Sequence, residues 1–157
     1  MNELDRNTQF MKMALQKAKK SANEGEVPVG TIIVYNNNVI SSGRNRREKG
    51  KNALYHAEIE AINNACKILG GWRLWQCEMF VTLEPCPMCA GAIINARIPK
   101  LVFGAKDPKA GSCGSIINLF DLSYNHKPII ISGIMQEECS KLLSNFFKDL
   151  RKNNKQL

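Results

Sequence analysis

Two short segments carry side chains able to do chemistry at a spacing that matters. They are His56-Ala57-Glu58 and Pro85-Cys86-Pro87-Met88-Cys89, with 29 residues between His56 and Cys86. Cys86 and Cys89 are three apart, so on a helix their sulfurs share one face, and the positive end of the helix dipole favours their thiolate forms. Such a pair suits Zn²⁺, but a lone C-x-x-C equally suits a redox pair or half of a structural zinc site. His56 changes the balance. It also stands at the start of a helical pattern after a loop, so two helix N-termini facing each other offer one imidazole and two thiolates. Structural zinc is normally closed by four protein ligands, whereas catalytic zinc has three and keeps the fourth position for water. Two thiolates and Zn²⁺ sum to zero charge, which leaves the metal acidic enough to lower the pKa of a bound water towards ~7. Glu58, two residues beyond His56, is turned away from the ligand position yet stays within reach of that water, as a general base requires. Taken alone, Glu58 also reads as an acidic residue in the first turn of an exposed helix.

The elements that would position these residues follow from periodicity. Phe10, Met13 or Ala14, Ala18 and Ala22 recur at helical spacing up to Gly25, which predicts a first amphipathic helix. The runs 27–35 and 38–43 flank Asn36-Asn37 and predict a hairpin. A second helix is expected from His56 to Gly70-Gly71, with Ile59, Ile62, Cys66 and Leu69 along one face. EMFVTL (78–83) is a third strand, and 87–97 a helix with Pro87 in its first turn that ends before Pro99. LVFGA (101–105) reads as a buried strand, 106–115 as a loop and 116–123 as a short helix. PIIIS (128–132) is a fifth strand and 136–152 a last helix. The order predicts an α/β fold of three layers: a five-stranded, largely parallel mixed sheet with one antiparallel strand, flanked by helices. Neither a repeat nor a linker interrupts it, so 1–157 is expected to be a single domain.

Composition narrows the setting. The chain has 157 residues, a net charge of +8, 44% hydrophobic and 23% charged residues, which excludes a disordered chain. No apolar run approaches the ~18 residues of a membrane span, and MNELDRNTQ lacks a signal-peptide core. A cytoplasmic protein is expected, so the six cysteines are not a disulfide framework. Cys66, Cys77 and Cys139 read as small buried hydrophobes, and His126 as a loop residue. The excess charge collects in two runs: five basic residues and one acidic between Arg44 and Lys51, four and one between Lys148 and Lys155. A solvated face is one explanation, and neutralisation of RNA phosphates is the other. Phe146 and Phe147 are adjacent on the last helix and diverge by about 100°. One of them is therefore left to stack on an unpaired loop base while Leu142, Leu143 and Leu150 pack the helix.

H-A-E followed by P-C-x-x-C resembles the signature of zinc-dependent nucleobase deaminases. Six further segments, in order along nearly the whole chain, are similar to the bacterial tRNA adenosine deaminases. They are EVPVG (26–30), Arg44-Asn45, GGWRL (70–74), TLEPCPMCAGAI (82–93), FGAKDPKAG (103–111) and FFKDLRK (146–152). The resemblance implies a cytidine-deaminase-like fold and one zinc ion per subunit, held by His56, Cys86 and Cys89. It implies hydrolytic conversion of the wobble adenosine of a tRNA anticodon stem-loop to inosine, by zinc-activated water with Glu58 as proton shuttle. It further implies a homodimer with active sites near the subunit interface. Asn45 and the backbone N–H of Ala57 would hold the purine edge, Val29 would wall the base pocket, and Asp107 would sit near the target ribose. The plainer readings are a turn residue for Asn45, a buried strand valine for Val29 and a turn aspartate before proline for Asp107. Two other functions stay open. One is a guanine or other free-base or nucleotide deaminase sharing the motifs; the other is a non-catalytic RNA-binding module whose structural zinc is closed by Cys113.

Overall fold

The computed structural model describes residues 1–155, and 156–157 lie outside the described residues. Its elements follow the expected order: α1 (Glu3–Asn23), β1 (Gly30–Tyr35), β2 (Asn38–Arg44), α2 (Ala57–Leu69), β3 (Cys77–Leu83), α3 (Pro87–Ala96), β4 (Lys100–Ala105), β5 (Ile129–Ser132) and α4 (Gln136–Lys155). The strands form one sheet in the order β2-β1-β3-β4-β5. β1 runs antiparallel to both of its neighbours, while β3, β4 and β5 are parallel. The one reversed strand therefore belongs to the hairpin, as expected. Its turn places Asn36 and Asn37 at φ 50° and 60°, a region asparagine tolerates and hairpin twist demands.

Alternation along the strands, broken only at the ends of β3 and β4 where Leu83 and Ala105 join the opposite layer, divides the core in two. Ile33, Met79, Val81, Leu101 and Phe103 pack against Ala61 and Ala65 of α2 and Ile93 of α3. Ile32, Val34, Phe80 and Val102 point the other way, against Met11 and Leu15 of α1 and Cys139 of α4. Two glycines let the helices reach the sheet. A Cβ on Gly30 would collide with the α1 backbone at Ala14, and one on Gly43 with the α2 backbone at Ala57. Gly43 thus seats the N-terminus of α2, which carries His56 and Glu58, directly on β2.

Four expectations need correcting, the first being the face of α2: Ala57, Ala61 and Ala65 are buried, whereas Ile59, Ile62 and Cys66 are only partly so and Leu69 is exposed. The predicted helix over 116–123 is only a 3₁₀ turn, Leu119–Asp121. The N–H groups of Cys113 and Ser115 are held by Glu84, and the Asn118 side chain accepts from Phe120, so Phe120 is buried while Ile116 and Ile117 stay exposed. Leu150 does not pack α4 on the sheet but is exposed; Leu142 and Cys139 hold that helix. Cys66 is only partly buried, unlike Cys77 and Cys139. His126 is a loop residue as expected, its Nε2 bonding the Ile98 carbonyl at 2.7 Å. No helix among the described residues is long and apolar enough to cross a membrane.

Candidate active site

The N-cap residue of α2 is His56 and that of α3 is Cys86, both in extended backbone, and neither side chain caps its helix. Instead they face each other. His56 Nδ1 lies 3.6 Å from the Sγ of Cys86 and 3.6 Å from that of Cys89. The three ligand atoms all lie within 4.8 Å of one another, a group that does not include Cys113. For a tetrahedral ion with Zn–N near 2.05 Å and Zn–S near 2.3 Å, the N···S separation comes to about 3.6 Å. The donor set and its spacing therefore fit zinc, with three protein ligands rather than four.

The electrostatics favour a thiolate at one of the two cysteines. Cys86 is pushed down to about 4 by its hydrogen bond with Cys89, with His56 adding to the effect. Cys89 is raised, because it keeps the proton of that bond and is buried. His56 is raised by its bond to Cys86. Glu58 sits in the first turn of α2, buried, with its side chain bonded to Cys89. Burial pushes its carboxyl up to about 7, so it can take a proton and give it back near neutral pH.

His56, Glu58 and Cys86 line a pocket of about 180 Å³ whose walls include Val29, Asn45, Ala57, Arg47, Glu84 and Asp107, with Cys89 buried behind it. That is below the roughly 300–1,000 Å³ of drug-sized sites and on the scale of a single base. The structure thus brings Val29, Asn45, Ala57 and Asp107 together around Glu58. Asn45 is fixed in orientation: Nδ2 donates to the Val27 carbonyl at 3.1 Å, and Oδ1 accepts from Arg47 N–H at 3.2 Å. One amide hydrogen and one lone pair remain for a ligand. Asp107 caps its own turn, accepting from the N–H groups of Lys109 and Ala110. Phe146 and Phe147 are not among the pocket residues. They pack edge to face at 5.5 Å on α4, Phe147 being the more exposed.

Two glutamates escaped the sequence reading. Glu26 is 1% exposed and accepts from the N–H groups of Glu48 and Lys49 at 2.9 and 2.8 Å, which folds the basic run back against the end of α1. Glu84 holds the loop that carries Asp107. Both stand inside the motif-like segments 26–30 and 82–93, which is the signal that could have singled them out. The basic run is also less bare than its composition suggests. Arg44 and Lys49 pair with Glu24 and Arg46 with Glu60, acids remote in sequence, leaving Arg47 and Lys51 outside those pairs. The side chain of Lys155, counted in the second run, lies outside the described residues.

Residues 5–151 match the family model of the MafB19-like deaminases. Over 147 residues the chain is 47% identical to the tRNA-specific adenosine deaminase of Bacillus subtilis, covering 93% of this chain and 91% of that one. The chain belongs to the tRNA-specific adenosine deaminase family. A solved structure from work on A-to-I editing by tRNA:A34 deaminases is similar to this family member at a TM-score of 0.84 and 40% identity, covering 87% of this chain and 99% of that one. The guanine deaminase of Nitrosomonas europaea shares the fold at a TM-score of 0.71, with 20% identity over 88% of this chain and 83% of that one. Membership of the tRNA-specific adenosine deaminase family agrees with the three-layer α/β architecture.

Proposed function

We propose that this chain hydrolyses the wobble adenosine of a tRNA anticodon to inosine and ammonia, using one zinc ion held by His56, Cys86 and Cys89. The observation that carries this reading is the convergence of one imidazole and two thiols, 3.6 Å apart, beside a buried glutamate at the floor of a base-sized pocket. When bound, zinc supplies a Lewis acid that lowers the pKa of a water. Glu58 takes one proton of that water as its oxygen adds to C6 and delivers it to N1 of the purine; it then moves the remaining proton from the new C6 hydroxyl to the amine, which leaves as ammonia. Asn45 and the N–H of Ala57 orient the base edge, Val29 walls one side, and Asp107 meets the ribose. Arg47 and Lys51, with the basic end of α4, face the phosphates, and Phe147 is the aromatic best placed by exposure to stack on a loop base. The protein acts in the cytoplasm as a homodimer, to which Ile68 in the last turn of α2 and Trp75 in the loop after it offer exposed apolar side chains.

The identities of 47% and 40% to tRNA deaminases favour this over a free-base deaminase, whose guanine-specific relative stands at 20%. Incubation of the zinc-loaded protein with tRNA bearing a wobble adenosine, beside free adenosine, guanine, cytidine and dCMP, tests the proposal. Inosine at the wobble position is the expected product. Intact tRNA together with rapid release of ammonia from guanine or a pyrimidine would overturn it.

A further inference from the structure

We infer that Glu84 is a positioning residue: it sets the shape of the pocket wall that carries Asp107, and through it the recognition of the nucleotide attached to the reacting base. This rests on the deaminase reading and deepens it. Glu84 leaves the end of β3 with its N–H bonded to the Ala105 carbonyl, and it is 2% exposed. All the bonds to its carboxylate come from one loop. Oε1 accepts from Asp107 N–H at 3.1 Å and from the Ser115 hydroxyl at 2.5 Å; Oε2 accepts from the N–H groups of Cys113 and Ser115, both at 3.0 Å. One buried carboxylate therefore gathers both ends of the segment 107–115 around itself. Gly111 packs between the Asp107 carbonyl and the Glu84 carboxyl, and a Cβ there would run into both. The loop contains no helix or named strand of its own, and Asp107 and Ala110 are the residues it presents to the pocket.

The geometry separates a scaffold from a positioning role, because the two oxygens have different partners. In Glu84→Gln the new NH₂ group cannot sit at Oε2, where it would face two fixed backbone N–H donors. It settles at Oε1, where the Ser115 hydroxyl can rotate to accept but Asp107 N–H cannot. The substitution thus releases Asp107 selectively and leaves the bonds to Cys113 and Ser115 in place. Ser115→Ala does the opposite: it removes the hydroxyl and leaves the Asp107 bond intact.

Steady-state deamination of the anticodon stem-loop, with zinc content measured in parallel, tests this. Glu84→Gln should raise KM about ten- to thirtyfold with kcat within about threefold and one zinc per chain. Ser115→Ala should stay within about twofold of the parent. The double variant Glu84→Gln with Asp107→Ala should cost no more than Asp107→Ala alone, because both act on one contact. Gly111→Ala, which pushes on the Glu84 carboxyl and the Asp107 carbonyl at once, should reproduce the KM effect and tests the placing of the loop if Glu84→Gln does not fold. An unchanged KM in both Glu84→Gln and Gly111→Ala, full additivity with Asp107→Ala, or loss confined to kcat or zinc content would overturn the inference. Failure of the deaminase reading itself would show separately, as an unmodified chain that leaves the stem-loop intact.

Discussion

His56 and Cys86 hold the same place in two different helices, the N-cap, and neither uses its side chain to cap: His56 Nδ1 faces Cys86 Sγ at 3.6 Å. A helix start normally takes Ser, Thr, Asn or Asp there, whose oxygen satisfies an orphan N–H and whose loss costs about 1 kcal/mol. Both helices give that up for the metal group, so stability and function oppose each other at two positions. His56→Asn and Cys86→Ser should each abolish stoichiometric zinc binding. Compared without zinc, each variant should melt no lower than the parent, because the new side chain is the better cap. Cys113→Ser should keep one zinc per chain, since Cys113 stands outside the group. Zinc analysis and thermal melts with and without chelator check all three, and loss of zinc in Cys113→Ser would return the structural-zinc reading.

Glu58 is two residues from His56 but makes no part of the ligand group. Its carboxyl is buried at the pocket, and burial raises its pKa to about 7. Glu58→Ala should therefore retain zinc and lose kcat by at least the 10²–10⁴ typical of general acid–base catalysis, with little change in RNA binding. Single-turnover deamination beside a zinc assay measures the two separately. Activity within tenfold of the parent would mean that another group moves the proton.

The motif residues were legible because local rules fix them. Pro87 at the start of α3, the glycine end of α2 and the asparagine turn all act within a few residues. The residues that hold the loops were not. Glu26 reaches Glu48 and Lys49, and Glu84 reaches Cys113 and Ser115, across more than twenty residues with no periodicity to announce them. Separations of 20 and 14 residues likewise hid the pairing of Arg44 with Glu24 and of Arg46 with Glu60. The segment 116–123 carries apolar residues at helical spacing, but tertiary bonds to Glu84 and the Asn118 side chain override that preference.

At the far end of the sheet Glu78 on β3 joins the start of α1 to β4. It binds Arg6 through both oxygens and Lys100 at 3.3 Å. Burial alone would raise its pKa, but the hydrogen bonds and charge of Arg6, with Lys100, outweigh this and hold it below the ordinary carboxylate value. A folded-state pKa lower than the unfolded one adds stability above the unfolded pKa, near 4.3, and loses it as pH falls through the folded value. Stability should therefore fall with acid below about pH 4.5. Glu78→Gln should melt lower at pH 7 and show a shallower fall from pH 5 to 3, read by urea titrations at each pH. Parallel curves for parent and variant would show that this cluster contributes nothing to the acid dependence.

Glu26 offers the sharper test of how RNA is held. Its carboxylate is the fixed point for the loop that carries Arg47, Lys49 and Lys51, and the Ser21 hydroxyl ties the same loop through the Asn45 carbonyl at 2.8 Å. Those charges gain affinity from phosphate neutralisation only if they are held where phosphates pass. Glu26→Gln leaves the basic residues in the sequence and raises the net charge by one, so a purely compositional role for charge predicts equal or tighter binding. Positioning predicts the reverse: Kd for the stem-loop should rise about tenfold, from weakened hydrogen bonds to a charged group. The slope of log Kd against log salt should flatten by about one contact, as expected when a phosphate contact is lost. Binding titrations from 50 to 200 mM salt on parent and variant decide between the two. Tighter binding with an unchanged slope would show that the loop acts by its charge alone.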